Sequence, residues 1–300
     1  MTPLSLCPNP RHLEQEDRNV PFPTAISVHG LADAAPPDAR TKETIQNLLE
    51  QLPGVRGDFG GDSPYRIEFI NDPAITHAEG YTLTSDVGGI IVATRTATGR
   101  FYGAQTVYQL LTHAFHHAGF GRFGSKVSAG VAAAGRVVPA LQIEDEPRFA
   151  IRSFMADLGR APFSVPLLQR LIRIMAHLKL NTLHLHLLDD ELCGFRFERL
   201  PLGSENPWAL TATELRELVA YARSYHVAIL PEIESWAHVH SIIYHYPHLR
   251  GTAGVYGGSS FGIGEATYAL LEKIYDEIVP CLEDDAAVHL GLDEAIWAVL

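Results

Sequence analysis

The second half of the chain has the pattern that leaves least freedom. From Pro147 onwards, short apolar runs alternate strictly with amphipathic segments. Phe149–Asp157, Thr182–Leu188, Val227–Ile233 and Ala287–Leu292 predict strands; Val165–Leu178, Ala212–Tyr225 and Glu265–Leu282 predict helices. Near-continuous apolar strands separated by helices are what a parallel sheet covered on both faces requires. The helix starts carry their own signals. Ser164 precedes Pro166 in a first turn, and Thr211-Ala212-Thr213-Glu214 fits a capping box. Leu167, Leu168, Leu171, Ile174, Met175 and Leu178 form one apolar face, wide enough to cover a sheet. Right-handed crossovers between such units lead to a doubly wound sheet or to a (β/α)8 barrel.

The polar residues choose between these two. Asp157 and Arg160 end the first strand and Asp189-Asp190-Glu191 the second. Glu232, Glu234 and His238 end the third, and Asp293-Glu294 the fourth. A doubly wound sheet gathers its ligands at one switch point, whereas a barrel draws them from many successive strand ends. Four acidic ends therefore favour the barrel, and they make the plain alternative, four separately solvated ends, a poor coincidence. Strand neighbours point to opposite faces, so Asp293 and Glu294 can address one ligand only if the backbone leaves strand geometry there. Two close carboxyls also push their pKa values apart, which supplies a proton donor beside an ionised partner. In the second strand His184 and His186 share one face, opposite Leu183, Leu185 and Leu187. Pointing into packed protein they need partners, so a hydrogen-bonded structural role is expected for them.

The first half predicts a smaller α+β domain. Strands are expected at Thr24–His29, Tyr65–Ile70, Gly80–Thr84 and Ile90–Thr94, with Gly88-Gly89 turning the last pair. Helices are expected at Thr41–Leu52 and Gly99–Ala114, and a Gly/Ala-rich loop at Gly124–Arg136. The division is thus 1–146 for the small domain and 147–300 for the barrel. Composition excludes other classes. A net charge of −12 without a basic run argues against nucleic acid and anionic membrane as partners. No run reaches the roughly 20 apolar residues of a membrane helix. Met1–Pro8 lacks the pattern of a secretion signal, so the cytoplasm is the expected compartment. Cys7, Cys193 and Cys281 are too few and too far apart for a disulfide framework or a zinc motif.

Four motifs, in order, carry a resemblance. They are Pro147-Arg148-Phe149-Ala150-Ile151-Arg152 with the later Asp157 and Arg160, and the run Lys179-Leu180-Asn181-Thr182-Leu183-His184-Leu185-His186-Leu187-Leu188-Asp189-Asp190. Then come Pro231-Glu232-Ile233-Glu234-Ser235-Trp236-Ala237-His238, and His289-Leu290-Gly291-Leu292-Asp293-Glu294. Through them 147–297 resembles the catalytic barrel of glycoside hydrolase family 20, the β-N-acetylhexosaminidases. Gly99–Thr106 marks the small domain that precedes it. The resemblance implies hydrolysis of terminal non-reducing N-acetyl-hexosamine from β-glycosides, with N-acetylhexosamine-containing glycans as partners and neither cofactor nor metal. It also implies a substrate-assisted retaining mechanism, an exception to the two-carboxylate scheme. On this pattern Asp293 orients the 2-acetamido group. Glu294 is the general acid and then the base, with His238 and Asp189 as a relay behind it. Arg152, Asp190 and Glu234 bind substrate. Departures place the chain in a divergent branch: Ser153 stands for Gly, Glu234 for Asp, Trp236-Ala237 for Pro-Gly and Leu292 for Gly.

Two competing readings belong to other classes. His184 and His186, with His238, His240 and Asp293, could make a zinc-dependent barrel hydrolase. The other is a non-catalytic sugar-binding fragment, because the resemblance reaches only the first four β/α units before Leu300. The expected fold is therefore α/β, a small α+β domain followed by the first half of a (β/α)8 TIM barrel. A half-barrel exposes an apolar face and an unpaired edge at Ala287–Leu292, which invite a missing second half or self-association. We expect light scattering on the 300-residue chain to show association or misfolding; a monodisperse folded monomer with hexosaminidase activity would contradict this.

Overall fold

The computed structural model describes residues 4, 6–31, 38–117, 136–251, 259–283 and 286–294. Two compact units divide the chain: Met1–Ala150 with His177–Lys179, and Ile151–Ala176 with Leu180–Leu300.

In the first unit seven strands form one mixed sheet. They are β1 (His12–Pro21), β2 (Ala25–His29), β3 (Arg56–Phe59), β4 (Tyr65–Asn71), β5 (Tyr81–Asp86), β6 (Gly89–Thr94) and β7 (Val137–Asp145). Their order across the sheet is β1-β7-β5-β6-β4-β2-β3. Alternation decides which face is inside: Tyr65, Ile67 and Phe69 of β4 are buried while Arg66, Glu68 and Ile70 are exposed. The core is completed by helices α1 (Ala39–Glu50) and α2 (Ala97–His117), which bury Ile45, Leu48, Phe101, Val107, Leu110 and Leu111. Each such side chain contributes about 1.5–3 kcal/mol relative to exposure.

Three of these strands carry no legible pattern. β1 exposes every residue except Val20, so no alternation marks it; its antiparallel ladder to β7 holds it in place. Its charges are what an edge strand needs to resist pairing with other chains. β7 contains Pro139, which faces Asn19 beside a register shift in β1 and lies outside the Leu141–Asp145 ladder to β5. That placement spares the sheet a missing donor. β3 has only four residues. Most of the expected loop at Gly124–Arg136 lies outside the described residues; Arg136 itself is buried, its guanidinium 3.8 Å over the Phe115 ring. Lys179, which opens the second motif, serves this unit: its Nζ donates to Asp145 Oδ2 at 2.8 Å and to the Tyr81 hydroxyl at 2.7 Å.

In the second unit β8 (Ser153–Asp157), β9 (Thr182–His186) and β10 (Ala228–Glu232) form a parallel sheet in the order β10-β9-β8. The connections carry α3 (Val165–His177) and α4 (Ala212–Ser224), and α5 (His240–Ile243) and α6 (Glu265–Ile278) follow β10. The capping box is present: Thr211 Oγ1 accepts from the Glu214 N–H at 3.2 Å, and Glu214 Oε2 accepts from the Thr211 N–H at 2.8 Å.

The strands are shorter than the apolar runs, for local reasons. β8 starts at Ser153 because its neighbour starts at Thr182; the Arg152 N–H instead donates to the Asn181 side chain. β9 stops at His186 because the chain folds back, with the Gly194 N–H donating to the Leu187 carbonyl. The expected strand Ala287–Leu292 is reduced to one bridge, His289 with Glu232. It keeps a parallel ladder, from the His289 N–H to Pro231, the Ile233 N–H to His289 and the Ser235 N–H to Gly291.

Gly89 starts β6 with φ +137° opposite Arg66, whose carbonyl oxygen would lie 1.9 Å from an added Cβ. Gly89→Ala should therefore cost at least about 2 kcal/mol, measured as a shift of the urea midpoint. An unchanged midpoint would show that this turn tolerates a side chain.

Candidate active site

The polar strand ends meet on one side of the second unit's sheet. Parity places His184 and His186 of β9 and Glu232 of β10 on the same face. His186 is held from both sides, Nδ1 2.5 Å from Glu232 Oε2 and Nε2 2.6 Å from Asp189 Oδ2. Burial opposes a charge on this ring, but the two carboxylates outweigh it and raise its pKa to about 10. In return, although burial disfavours their charge, Asp189 and Glu232 are both held below the ordinary carboxylate values by their bonds to His186. Arg160 extends the network, reaching Asp189 at 2.6 Å, Asp157 at 3.1 Å and Glu191 at 3.3 Å. On the other side Glu232 Oε1 lies 2.7 Å from His289 Nδ1.

A second group stands beside this one. His238 Nε2 is 3.2 Å from Glu294 Oε2. Its Nδ1 faces Asp190 Oδ2 at 3.3 Å and Asp189 Oδ1 at 3.7 Å, neither aligned as a hydrogen bond. Asp190 Oδ1 accepts from the His240 N–H at 3.0 Å, which fixes that carboxylate behind the ring. His238 and Glu294 both adopt left-handed backbone conformations, φ +53° and +48°. The backbone thus leaves extended geometry at the two adjacent acids. Glu294 is exposed, and Asp293 beside it is exposed as well.

Glu234 is different in kind. Its side chain is buried, and neither oxygen receives a bond from any donor among the described residues. Burial first, then the negative charges of Asp293 and Glu232, lift its pKa to about 8, and His186 offsets part of this. An apolar cavity of about 220 Å³ is lined by Trp236, Phe261, Ile263, Tyr268, Leu271 and Leu292, among others. Trp236 and Leu292, two of the residues that depart from the family pattern, both face it.

The structure thus brings His238, Glu294, Asp190 and Asp189 together. Arg152 is elsewhere: it precedes β8, five residues or roughly 16 Å along the strand from Asp157. His186, Glu232, His289 and Arg160 were not among the residues first assigned to the site. Shared parity of His186 and Glu232 on neighbouring strands is the signal that links them. The five residues of the zinc reading do not converge. The compact His/carboxylate groups are instead His184-Glu232-His289, Asp157-His186-Asp189, His186-Glu232-Glu234 and Asp189-Asp190-His238. Their members mostly neutralise one another as ion pairs, so the donor set fits a carboxylate–imidazolium network better than an open metal site.

Parallel strands alternating with helices, with acids and imidazoles gathered at the strand ends, define the class: an α/β domain that carries its polar site at the strand ends, as the first units of a (β/α)8 barrel do. Comparison with known proteins makes this specific. Residues 149–298 match the glycosyl hydrolase family 20 catalytic domain, and residues 4–146 match domain 2 of the same family. The chain belongs to glycosyl hydrolase family 20. It is 28% identical to a β-N-acetylhexosaminidase of Cellulomonas fimi, over 99% of this chain and 60% of that protein. It is 29% identical to a β-hexosaminidase of Porphyromonas gingivalis, over 72% of this chain and 29% of that protein. It also resembles the N-acetyl-β-hexosaminidase of Streptomyces plicatus solved with Thio-NAglucal, at a TM-score of 0.71 and 25% identity, over 98% of this chain and 60% of that one. The chain thus spans 29–60% of the length of these relatives. The fold is the expected one, a small sheet domain followed by part of the barrel.

The His186 clamp predicts a pH dependence. A histidine that keeps its proton to about pH 10, against an ordinary 6.5, contributes stability that is complete below 6.5 and lost as pH rises through 10. The urea midpoint should fall over that interval and also in acid, where Asp189 and Glu232 take up protons. His186→Leu should cost about 3–5 kcal/mol, the penalty for orphaning buried charges, and flatten the alkaline fall. An alkaline fall that persists unchanged in the variant would place its cause elsewhere.

Proposed function

We propose that the site hydrolyses terminal non-reducing N-acetyl-hexosamine residues from β-glycosides by a substrate-assisted, retaining route. One observation carries the reading: the Glu294 carboxylate stands 3.2 Å from His238 Nε2, one residue from Asp293, in a chain of this family. Glu294 protonates the leaving oxygen as the substrate's acetamido oxygen attacks the anomeric carbon from the other face. The bond to the aglycone breaks, and an oxazolinium ion forms. Asp293 accepts the acetamido N–H and balances the positive charge as it develops. Glu294, now ionised, takes a proton from the water that reopens the ring, which restores the starting configuration.

His238 holds Glu294, with Asp190 closer behind the ring than Asp189. We infer that Asp190 supports His238 rather than sugar, since its carboxylate already faces His238 and His240. Asp189 acts through the His186 clamp. For Arg152 as a ligand of sugar hydroxyls, the family pattern is the sole support.

Two substitutions test the assignment on aryl N-acetyl-hexosaminides. Glu294→Gln should cost about 10²–10⁴-fold with a poor leaving group and far less with one that leaves unprotonated. Equal losses would end the acid role. Asp293→Asn should cost about 10²–10³-fold on N-acetylated substrates. Full activity in that variant would remove the assisted mechanism.

A further inference from the structure

Two residues that depart from the family pattern help to build a cavity. Trp236 stands where the pattern has Pro and Leu292 where it has Gly, and both line the space of about 220 Å³. Phe261 and Ile263, ahead of α6, and Tyr268 and Leu271, on it, complete the apolar wall. Phe261 is buried, whereas Ile263, Tyr268 and Leu292 are 77%, 52% and 52% exposed. Large apolar side chains are thus held at the surface around an open space, a costly arrangement unless something apolar covers them.

The polar groups of the wall are already used. Ser235 Oγ donates to the Ile233 carbonyl at 2.9 Å and lies 2.7 Å from the Tyr275 hydroxyl. The Thr267 hydroxyl donates to the Gly262 carbonyl at 2.6 Å. The Phe261 N–H donates to the Trp236 carbonyl and the Gly262 N–H to the Leu249 carbonyl, both at 2.8 Å. The buried side-chain polar atom of the wall left without a partner among the described residues is the Trp236 Nε1 donor. A sugar ring would leave most of its hydroxyls unbonded against such a wall, while an apolar ring loses nothing there. A dry apolar cavity of roughly 150 Å³ already holds benzene, so this one is sized for a single ring with a substituent.

The cavity adjoins the acid pair through both of its chain segments. Trp236 precedes His238 by two residues and Leu292 precedes Glu294 by two, a reach of at most about 7 Å along each segment. The segments are tied together on either side, by the Ser235 N–H to the Gly291 carbonyl at 3.1 Å and by His238 Nε2 to Glu294 at 3.2 Å.

We propose that this cavity is an aglycone site that takes one apolar ring carried by the leaving group, so that the substrate is an N-acetyl-hexosaminide of an aromatic or alicyclic alcohol rather than of a second sugar. The ring site stands on the cavity itself. Its place on the leaving side rests on the function proposed above, in which Glu294 protonates the oxygen that bears this group. The competing occupant is further chain of this protein, which would keep a small ring out.

The test has two arms. In the first, 4-fluorophenol is titrated with the protein and followed by 19F NMR. Saturable binding is expected, and Leu271→Trp, which fills the cavity, should abolish it. Tyr268→Ala, at a half-exposed position of α6, should weaken it about three- to tenfold by removing one aromatic contact. No binding to the unsubstituted protein, or binding unchanged in Tyr268→Ala, overturns the ring site. Should Leu271→Trp fail to fold, the tyrosine variant decides alone.

In the second arm, ethyl and cyclohexylmethyl β-N-acetyl-hexosaminides are compared, since their alcohols are of nearly equal acidity. The ring should raise kcat/KM at least about tenfold. The gain should lie in KM, because the wall holds the ring equally before and during bond breaking. Equal values for the two substrates, or a preference that survives in Tyr268→Ala undiminished, reject the aglycone assignment. Turnover of neither glycoside would defeat the proposed function and the aglycone assignment with it, and leave the ring site of the first arm standing.

Discussion

The second unit depends on one buried interaction, the imidazolium of His186 gripped between Asp189 and Glu232. All three side chains are nearly excluded from water, a costly arrangement unless each charge is paired and bonded. Here it is paired twice, and Arg160 adds a further positive charge to Asp189. The clamp joins residues from adjacent parallel strands and from the loop after β9. It therefore fixes where that loop departs, and with it Asp190. The Ser241 hydroxyl donates to the Asp189 carbonyl, so the same point also holds the segment that follows His238.

Around this clamp, identical chemical groups acquire different states. Glu232 ends β10, and Glu234 follows it by two residues. Glu232 touches three histidines and is ionised. Glu234 has no hydrogen-bond donor among the described residues, and burial with the charges of Asp293 and Glu232 outweighs the opposing pull of His186, so it favours the neutral form. Environment rather than residue type separates them, which is how one protein surface holds an acid and a base at a single pH. The exposed pair Asp293 and Glu294 sits on the boundary of this region, where a ligand can reach both.

Much of the fold was legible before the structure. Period-2 runs marked β4, β5 and β6, and the apolar face of α3 and the Thr211–Glu214 box marked the first two helices of the second unit. β1 and β7 were not legible, because a charged edge strand and a strand interrupted by Pro139 owe their form to each other's backbone. In the site, the acids were found by their position at strand ends. Glu232 was seen as a strand-end acid and His186 as a histidine in need of hydrogen-bond partners, but that they partner each other emerges only when β9 and β10 are laid side by side.

By itself, the sequence determined the longer helices and the strands with an apolar pattern, that the strand ends are acidic, and that Asp293 and Glu294 are adjacent. Those follow from local periodicity and spacing, which act over a few residues. The tertiary structure alone decided the partners: Asp190 lies nearer His238 than Asp189 does, Asp189 is bound to His186, and Glu234 is buried against Gly291. Each of these depends on where two distant segments stop pairing, and a shift of one residue in register would move every one of these side chains to the opposite face.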